Sequence, residues 1–261
     1  MATYGIYQGR GNYPPKPKGA TRFVVVSDTH NRRPHVEWVP DWDVFIHCGD
    51  ITMTGRHSEF SRFRQWLTTM PPENPKIVIA GNHDIGLDRE FCERVGPMRL
   101  RKMFDHKGAA DSLDPSHLFD PKMNIHYLQH GALELKTSQG KIKIFGSPYV
   151  FKSHGWAFGY EKAGNRWKEI PKDTEILLTH MPPSETLGAI SEDGEDIGCP
   201  SLGQAVRGNR SIRLHLFGHC HEAVGVYPEE ATRRVLVNVA SLTRAYNVNK
   251  KTYGLTIVDR V

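Results

Sequence analysis

The chain has 261 residues, 38% hydrophobic and 24% charged, the balance of an ordinary globular protein able to bury one full core. Its formal charge is +5, but the basic residues lie in short scattered clusters such as Arg32-Arg33 and Arg233-Arg234, so nucleic acid is not an expected partner. Four cysteines without a CxxC pair, and no run of 18 apolar residues, argue against a zinc framework, a disulfide scaffold and a membrane span, and the expectation is a reduced, cytoplasmic protein.

Residues 1–20 are rich in Gly, Pro, Lys and Tyr without periodicity, and read as a mobile or surface-laid arm ahead of a single domain over 21–261. From Thr21 onward, short apolar runs recur at 22–26, 44–47, 76–80, 141–145, 175–178, 214–217, 235–239 and 252–258, each suited to a strand buried on both faces. A helix is predicted over 58–70, where Phe60, Phe63, Trp66 and Leu67 share one stripe and Pro71-Pro72 ends it. Shorter helices are predicted over 88–95 and 201–206, and 96–121 reads as a surface excursion. Strands mixed with helices over one continuous chain make an α/β sandwich the expected fold class.

The chemistry lies where the runs end. Asp28-Thr29-His30 follows the first run, Gly49-Asp50 the second and Gly81-Asn82-His83-Asp84 the third. Thr179-His180 and Gly218-His219-Cys220-His221 follow two later ones. The carboxyl ends of strands in an α/β sheet converge on a common crevice, which would bring all five clusters together. Carboxylates, imidazoles and an amide oxygen form a ligand set for manganese, iron or zinc rather than calcium. In extended chain, alternate residues such as Asp28 and His30, or His219 and His221, point to the same side. Taken singly, Gly-Asp and Gly-Asn are turn residues, Asp84 is a helix cap, and His47, inside a strand, is a structural histidine. All five clusters together, each at a strand end, are hard to produce by turn chemistry alone.

In that order, these clusters resemble the motif series of the calcineurin-like metallophosphoesterase superfamily. The connecting text, including Gly146-Ser147-Pro148, Gly155-Trp156-Ala157-Phe158 and Leu178-Thr179-His180-Met181-Pro182-Pro183, is similar to its metallophosphoesterase-domain-containing (MPPED-like) subgroup. The resemblance implies a four-layer α/β/β/α sandwich of two mixed sheets flanked by helices, with two divalent metals at one edge. Asp28, His30 and His221 would hold one metal, Asn82, His180 and His219 the other, and Asp50 would bridge them. His83 would be the general acid, with Asp84 as its candidate support.

A pair of such metals, manganese above all, can clamp phosphoryl oxygens and activate a water as hydroxide near neutral pH. A histidine of ordinary pKa is suited to protonating the leaving oxygen. In the superfamily's protein phosphatases, an Asp and an Arg follow the Gly-Asp motif, whereas here Gly49-Asp50 continues as Ile51-Thr52-Met53-Thr54. That absence favours phosphodiesters over phosphomonoesters and phosphoproteins. The expected substrate is a small phosphate ester of nucleotide or cyclic-nucleotide type, with Arg32, Arg33, Thr54 and Trp156 as candidate substrate contacts. The aromatic stretch from Gly155 to Trp167 reads either as a substrate wall or as core. A nucleotide- or metal-binding module of low turnover and a nuclease are the alternative functions.

Overall fold

In the computed structural model, which describes residues 2–9, 13–104, 113–151, 153, 155–161, 165–250 and 254–261, each of the eight apolar runs contains a strand. The strands are β1 Tyr4–Gln8, β2 Thr21–Val26, β3 Val44–Cys48, β4 Lys76–Ile79, β5 Ile125–Tyr127, β6 Gly131–Thr137 and β7 Gly140–Ser147. They continue as β8 Val150–Phe151, β9 Gly159–Tyr160, β10 Ile176–Thr179, β11 Leu214–Phe217, β12 Gly225–Glu229, β13 Arg234–Asn238 and β14 Thr256–Arg260. The last run starts later than the predicted 252, and residues 252 and 253 lie outside those described. The helices are α1 His57–Leu67, α2 Arg89–Val95, α3 Pro97–Phe104 and α4 Pro200–Gly208.

Two six-stranded mixed sheets result, in the orders β1-β14-β2-β3-β4-β5 and β12-β13-β11-β10-β7-β6. The period of two in a strand decides the layers. Phe23 and Val25 of β2 face the second sheet and pack with Ile142, Ile144, Ile176, Leu216 and Val237. Val24 and Val26 of the same strand face outward, onto Phe60, Phe63 and Trp66 of α1 and Phe91 of α2. On the far side, Phe145 and Leu177 pack against Leu202 and Val206 of α4. Helices therefore cover the outer face of each sheet, giving the four-layer sandwich.

Two expectations need correction. Part of the predicted arm is strand β1, which pairs antiparallel with β14 along its whole length. Tyr4 and Ile6 pack on the inter-sheet core while Tyr7 packs on the opposite face, so the segment closes an edge that would otherwise expose unpaired backbone. The 96–121 excursion holds α3 and two short 3₁₀ turns, capped by Asp114 and Asp120; residues 105–112 lie outside those described.

Strands β2, β3 and β4 run parallel, as do β7, β10, β11 and β13, so each sheet gathers its carboxyl ends along one edge. The two edges are tied together: Ser241 N donates to Ser27 O at 2.8 Å and His180 Nδ1 lies 3.0 Å from Cys48 O. Among the described residues, no helix is long and apolar enough to cross a membrane.

Candidate metal centre

The loops leaving the joined edges are unusually bent. Asp28, His30, Asp50 and His219 have φ of 53°, 41°, 53° and 66°, in the left-handed region. Each such residue costs about 1–3 kcal/mol, and that strain persists only where surrounding structure enforces it. Hydrogen bonds supply the enforcement. His219 N donates to both oxygens of Asp28 at 3.1 Å, joining the two sheets through a carboxylate. His83 N donates to Asp50 Oδ1 at 2.8 Å. Gly218 leaves the room, because a Cβ there would overlap the Asp28 carboxylate and Ser27 Oγ.

All seven predicted ligands converge on one buried spot. Potential ligand atoms of Asp28, His30 and His221, of Asp28, Asp50 and His180, and of His30, Asp50 and His83 lie within 4.8 Å of one another in three overlapping groups. Asn82 Oδ1 is 3.1 Å from His180 Nε2, and the His219 ring lies 5.1 Å from the His180 ring. Asp50 is central: Oδ1 is held by His83 N, and Oδ2 faces His180 Nε2 at 3.3 Å and His30 Nε2 at 3.8 Å.

The donor chemistry fits metal ions. His180 Nδ1 sits on Cys48 O and His30 Nδ1 on Thr52 O at 3.1 Å, so in both rings the proton belongs on Nδ1 and the Nε2 lone pair points inward. For His180 that lone pair meets two acceptor oxygens, and His30 Nε2 is buried with no hydrogen-bond partner. Only a proton or a cation reconciles such a cluster of inward-facing acceptors. The electrostatics agree. Burial opposes charge on His180 and His221, yet Asp50 and Asp28 respectively raise both to about 9. Burial prevails at His30 and His219, lowering both to about 4. Asp28 and Asp50 stay below the usual carboxylate range against their burial, through His221 and His180 respectively. The negative field that draws protons onto His180 and His221 also favours divalent cations.

Asp84 does not support His83. Its carboxylate accepts from Ile51 N, Thr52 N, Gly81 N and Thr52 Oγ1 at 2.8–3.1 Å, sewing the Asp50 loop to the Asn82 loop. Burial first, and then the charge of Asp50, raise it to about 7. The partner of His83 is a main-chain group: Nδ1 lies 2.7 Å from Met53 O. Thr54 donates to Glu59 at 3.0 Å, which ties it to the start of α1. Arg32 and Arg33 are exposed, and each donates through Nη2 to a carbonyl, of Tyr246 and Arg62 respectively, at 3.2 Å.

The aromatic stretch divides. Trp156 lies on the His83 ring with centroids 4.1 Å apart, while Phe158 and Trp167 are buried core. His47 is structural, hydrogen-bonded to Thr29 Oγ1 at 2.9 Å. A residue outside the sequence reading, Tyr246, stands edge-on to His30 at 4.9 Å and to His221 at 6.2 Å. It sits at φ 56° in a tight turn closed by Tyr246 N to Thr243 O and Thr243 N to Asn247 O.

Comparison with known proteins agrees with this geometry. The family model for calcineurin-like phosphoesterases matches residues 21–223. Human metallophosphoesterase domain-containing protein 1 is 34% identical over 257 residues, spanning 92% of this chain and 76% of that protein. A UPF0046 protein of Caenorhabditis elegans is 32% identical over 234 residues, 88% of this chain and 73% of that protein. A solved dimetal phosphatase from Danio rerio covers 90% of this chain and 91% of its own at a TM-score of 0.45 and 10% identity, a likeness that adds nothing to the family match.

Proposed function

We propose that the chain, which belongs to the calcineurin-like phosphoesterase family, is a two-metal phosphodiesterase acting on small nucleotide or cyclic-nucleotide esters. The observation that carries the reading is Asp50, whose Oδ2 faces the Nε2 atoms of both His30 and His180 and so offers one carboxylate to two sites. Asp28, His30 and His221 would hold one cation, and Asn82, His180 and His219 the other. The pair, when bound, supplies charge neutralisation on the phosphoryl oxygens and an activated water. Manganese is the metal we assign for reconstitution. The cytoplasm is the compartment we assign, and four buried free cysteines suit its reducing conditions.

The chain's own residues do the rest. His83, its Nδ1 proton engaged by Met53 O, gives a proton from Nε2 to the leaving oxygen, and Trp156 holds the flat side of that ring. His83 is also within reach of the His30 and Asp50 ligand atoms, which supports a role beside the scissile ester.

The preference for diesters follows from charge. A monoester dianion needs cationic donors beyond two metals, and arginine is the usual supplier. Where the superfamily's phosphatases place that arginine, this chain has Thr54, a neutral hydroxyl that donates to Glu59. Losing such a clamp costs the dianion about 2–3 kcal/mol more than the monoanion. The test is kcat/KM for bis-p-nitrophenyl phosphate against p-nitrophenyl phosphate, at one pH with manganese-loaded protein. The diester is expected to be favoured, and a monoester favoured tenfold or more removes the diesterase assignment.

A further inference from the structure

A groove of about 800 Å³ leads away from His30, lined by Arg32, Arg33, His35, Trp38 and Leu242 among others. Its size is that of a small-molecule site. Its walls are of two kinds. Trp38 is 49% exposed, and its ring is stacked on the His35 ring, with centroids 4.1 Å apart and planes 8° from parallel. Leu242 and Val248, bridged to each other, add an apolar surface. The lining also holds the two arginines, each with N–H groups beyond its carbonyl contact. Among the described residues no carboxylate lines the groove: Glu37 is taken by His35 Nδ1 at 2.7 Å, and Glu59, in the adjoining cavity, accepts from Asn31 at 2.6 Å.

A lining with two arginines, a stacked aromatic face and no acid among the described residues suits a ligand that is anionic at one point and flat and apolar at another. The groove opens at a metal ligand, so whatever fills it is continuous with the ester being cut. We propose that it binds the nucleotide arm of an extended diester: a second phosphate meets Arg32 and Arg33, and a base lies against the Trp38–His35 pair. The substrate class is then a dinucleotide, or a nucleotide diester carrying a phosphate beyond the scissile one. This inference rests on the phosphodiesterase reading above. Aromatic faces accept any base, so the groove selects for length and charge rather than for base identity.

The test pairs two measurements on full-length protein. The first is kcat/KM for the dinucleotide pApA and for bis-p-nitrophenyl phosphate, with manganese. The second is calorimetric binding of adenosine 5′-diphosphate. Trp38→Ala, and Arg32→Gln with Arg33→Gln, are expected to lower kcat/KM for pApA tenfold or more and the aryl diester less than threefold, and to weaken nucleotide binding at least fivefold. Trp38→Phe should restore most of the binding. Equal losses on both substrates, or unchanged nucleotide binding, overturn the groove assignment. Wild-type protein that cuts the aryl diester but gains nothing from the longer substrate also overturns it, and leaves the diesterase reading standing. Wild-type protein inert on both diesters removes the diesterase reading, while the binding comparison still decides the groove.

Discussion

His83 Nδ1 lies 2.7 Å from the main-chain oxygen of Met53, a contact that commits the Nδ1 proton and leaves Nε2 for the proposed proton transfer to substrate. An acid held this way matters only when the leaving oxygen needs a proton. His83→Ala is expected to keep its metals and to lose about 10²–10⁴-fold on esters of poor leaving groups. The loss should shrink for nitrophenyl esters. Equal losses on both kinds of ester, or loss of metal, would show that the acid role is misassigned.

Tyr246 separates strain from function. Its φ of 56° is unfavourable for an aromatic residue and acceptable for glycine. Tyr246→Gly exchanges that strain for added freedom in the unfolded chain, so stability should stay within about 1 kcal/mol of wild type. Activity should nonetheless fall tenfold or more, because the ring beside His30 and His221 is gone. Denaturant titration beside kinetics checks this, and losses of stability and activity in parallel would make the turn structural only.

Gly218 tests how tightly the first ligand is held. A Cβ there overlaps the Asp28 carboxylate, whereas at Gly208, which has no positive φ, it would meet nothing within 4 Å. Gly218→Ala is expected to lower stability by about 1–3 kcal/mol, as overpacking does, and to weaken metal retention. Gly208→Ala should do neither. Thermal melts with and without manganese read both effects.

His215 gives the fold a pH dependence away from the ligands. Buried on β11 against Thr179 Oγ1 at 2.8 Å, it is lowered to about 3 by burial and then by Arg234. Between pH 3 and 6.5 the unfolded chain therefore binds up to one proton more than the folded one at this residue. Its contribution is complete above pH 6.5 and declines as pH falls through that window, by up to about 1.4 kcal/mol per pH unit. His215→Gln should be less stable at neutral pH but show a shallower decline between pH 7 and 5. Identical slopes would mean the residue does not titrate on unfolding.

The layers and the convergence of ligands were legible because both depend on patterns the chain displays directly. Strands such as β2 and β3 are continuous apolar runs, and Asp28, Asp50 and Asn82 stand at their carboxyl ends. Strands β1, β5, β6 and β12 escaped because they are short or half-exposed, and pairing with a neighbour rather than their own hydrophobicity makes them strands. The Met53 carbonyl escaped for a different reason: a main-chain acceptor has no residue type to search for. Tyr246 escaped because it is not a metal ligand and reaches the site only through the turn after β13. Asp84 was assigned to the wrong neighbour because adjacency to His83 in sequence says nothing about which way a buried carboxylate turns.

The central claim is a pair of metals sharing Asp50, and metal content tests it most directly. Elemental analysis of manganese-saturated, gel-filtered protein should give two ions per chain, falling to one or fewer in Asp50→Asn, whose amide can offer only one oxygen. One ion or fewer in the wild type, or an Asp50→Asn protein that still holds two, would contradict it.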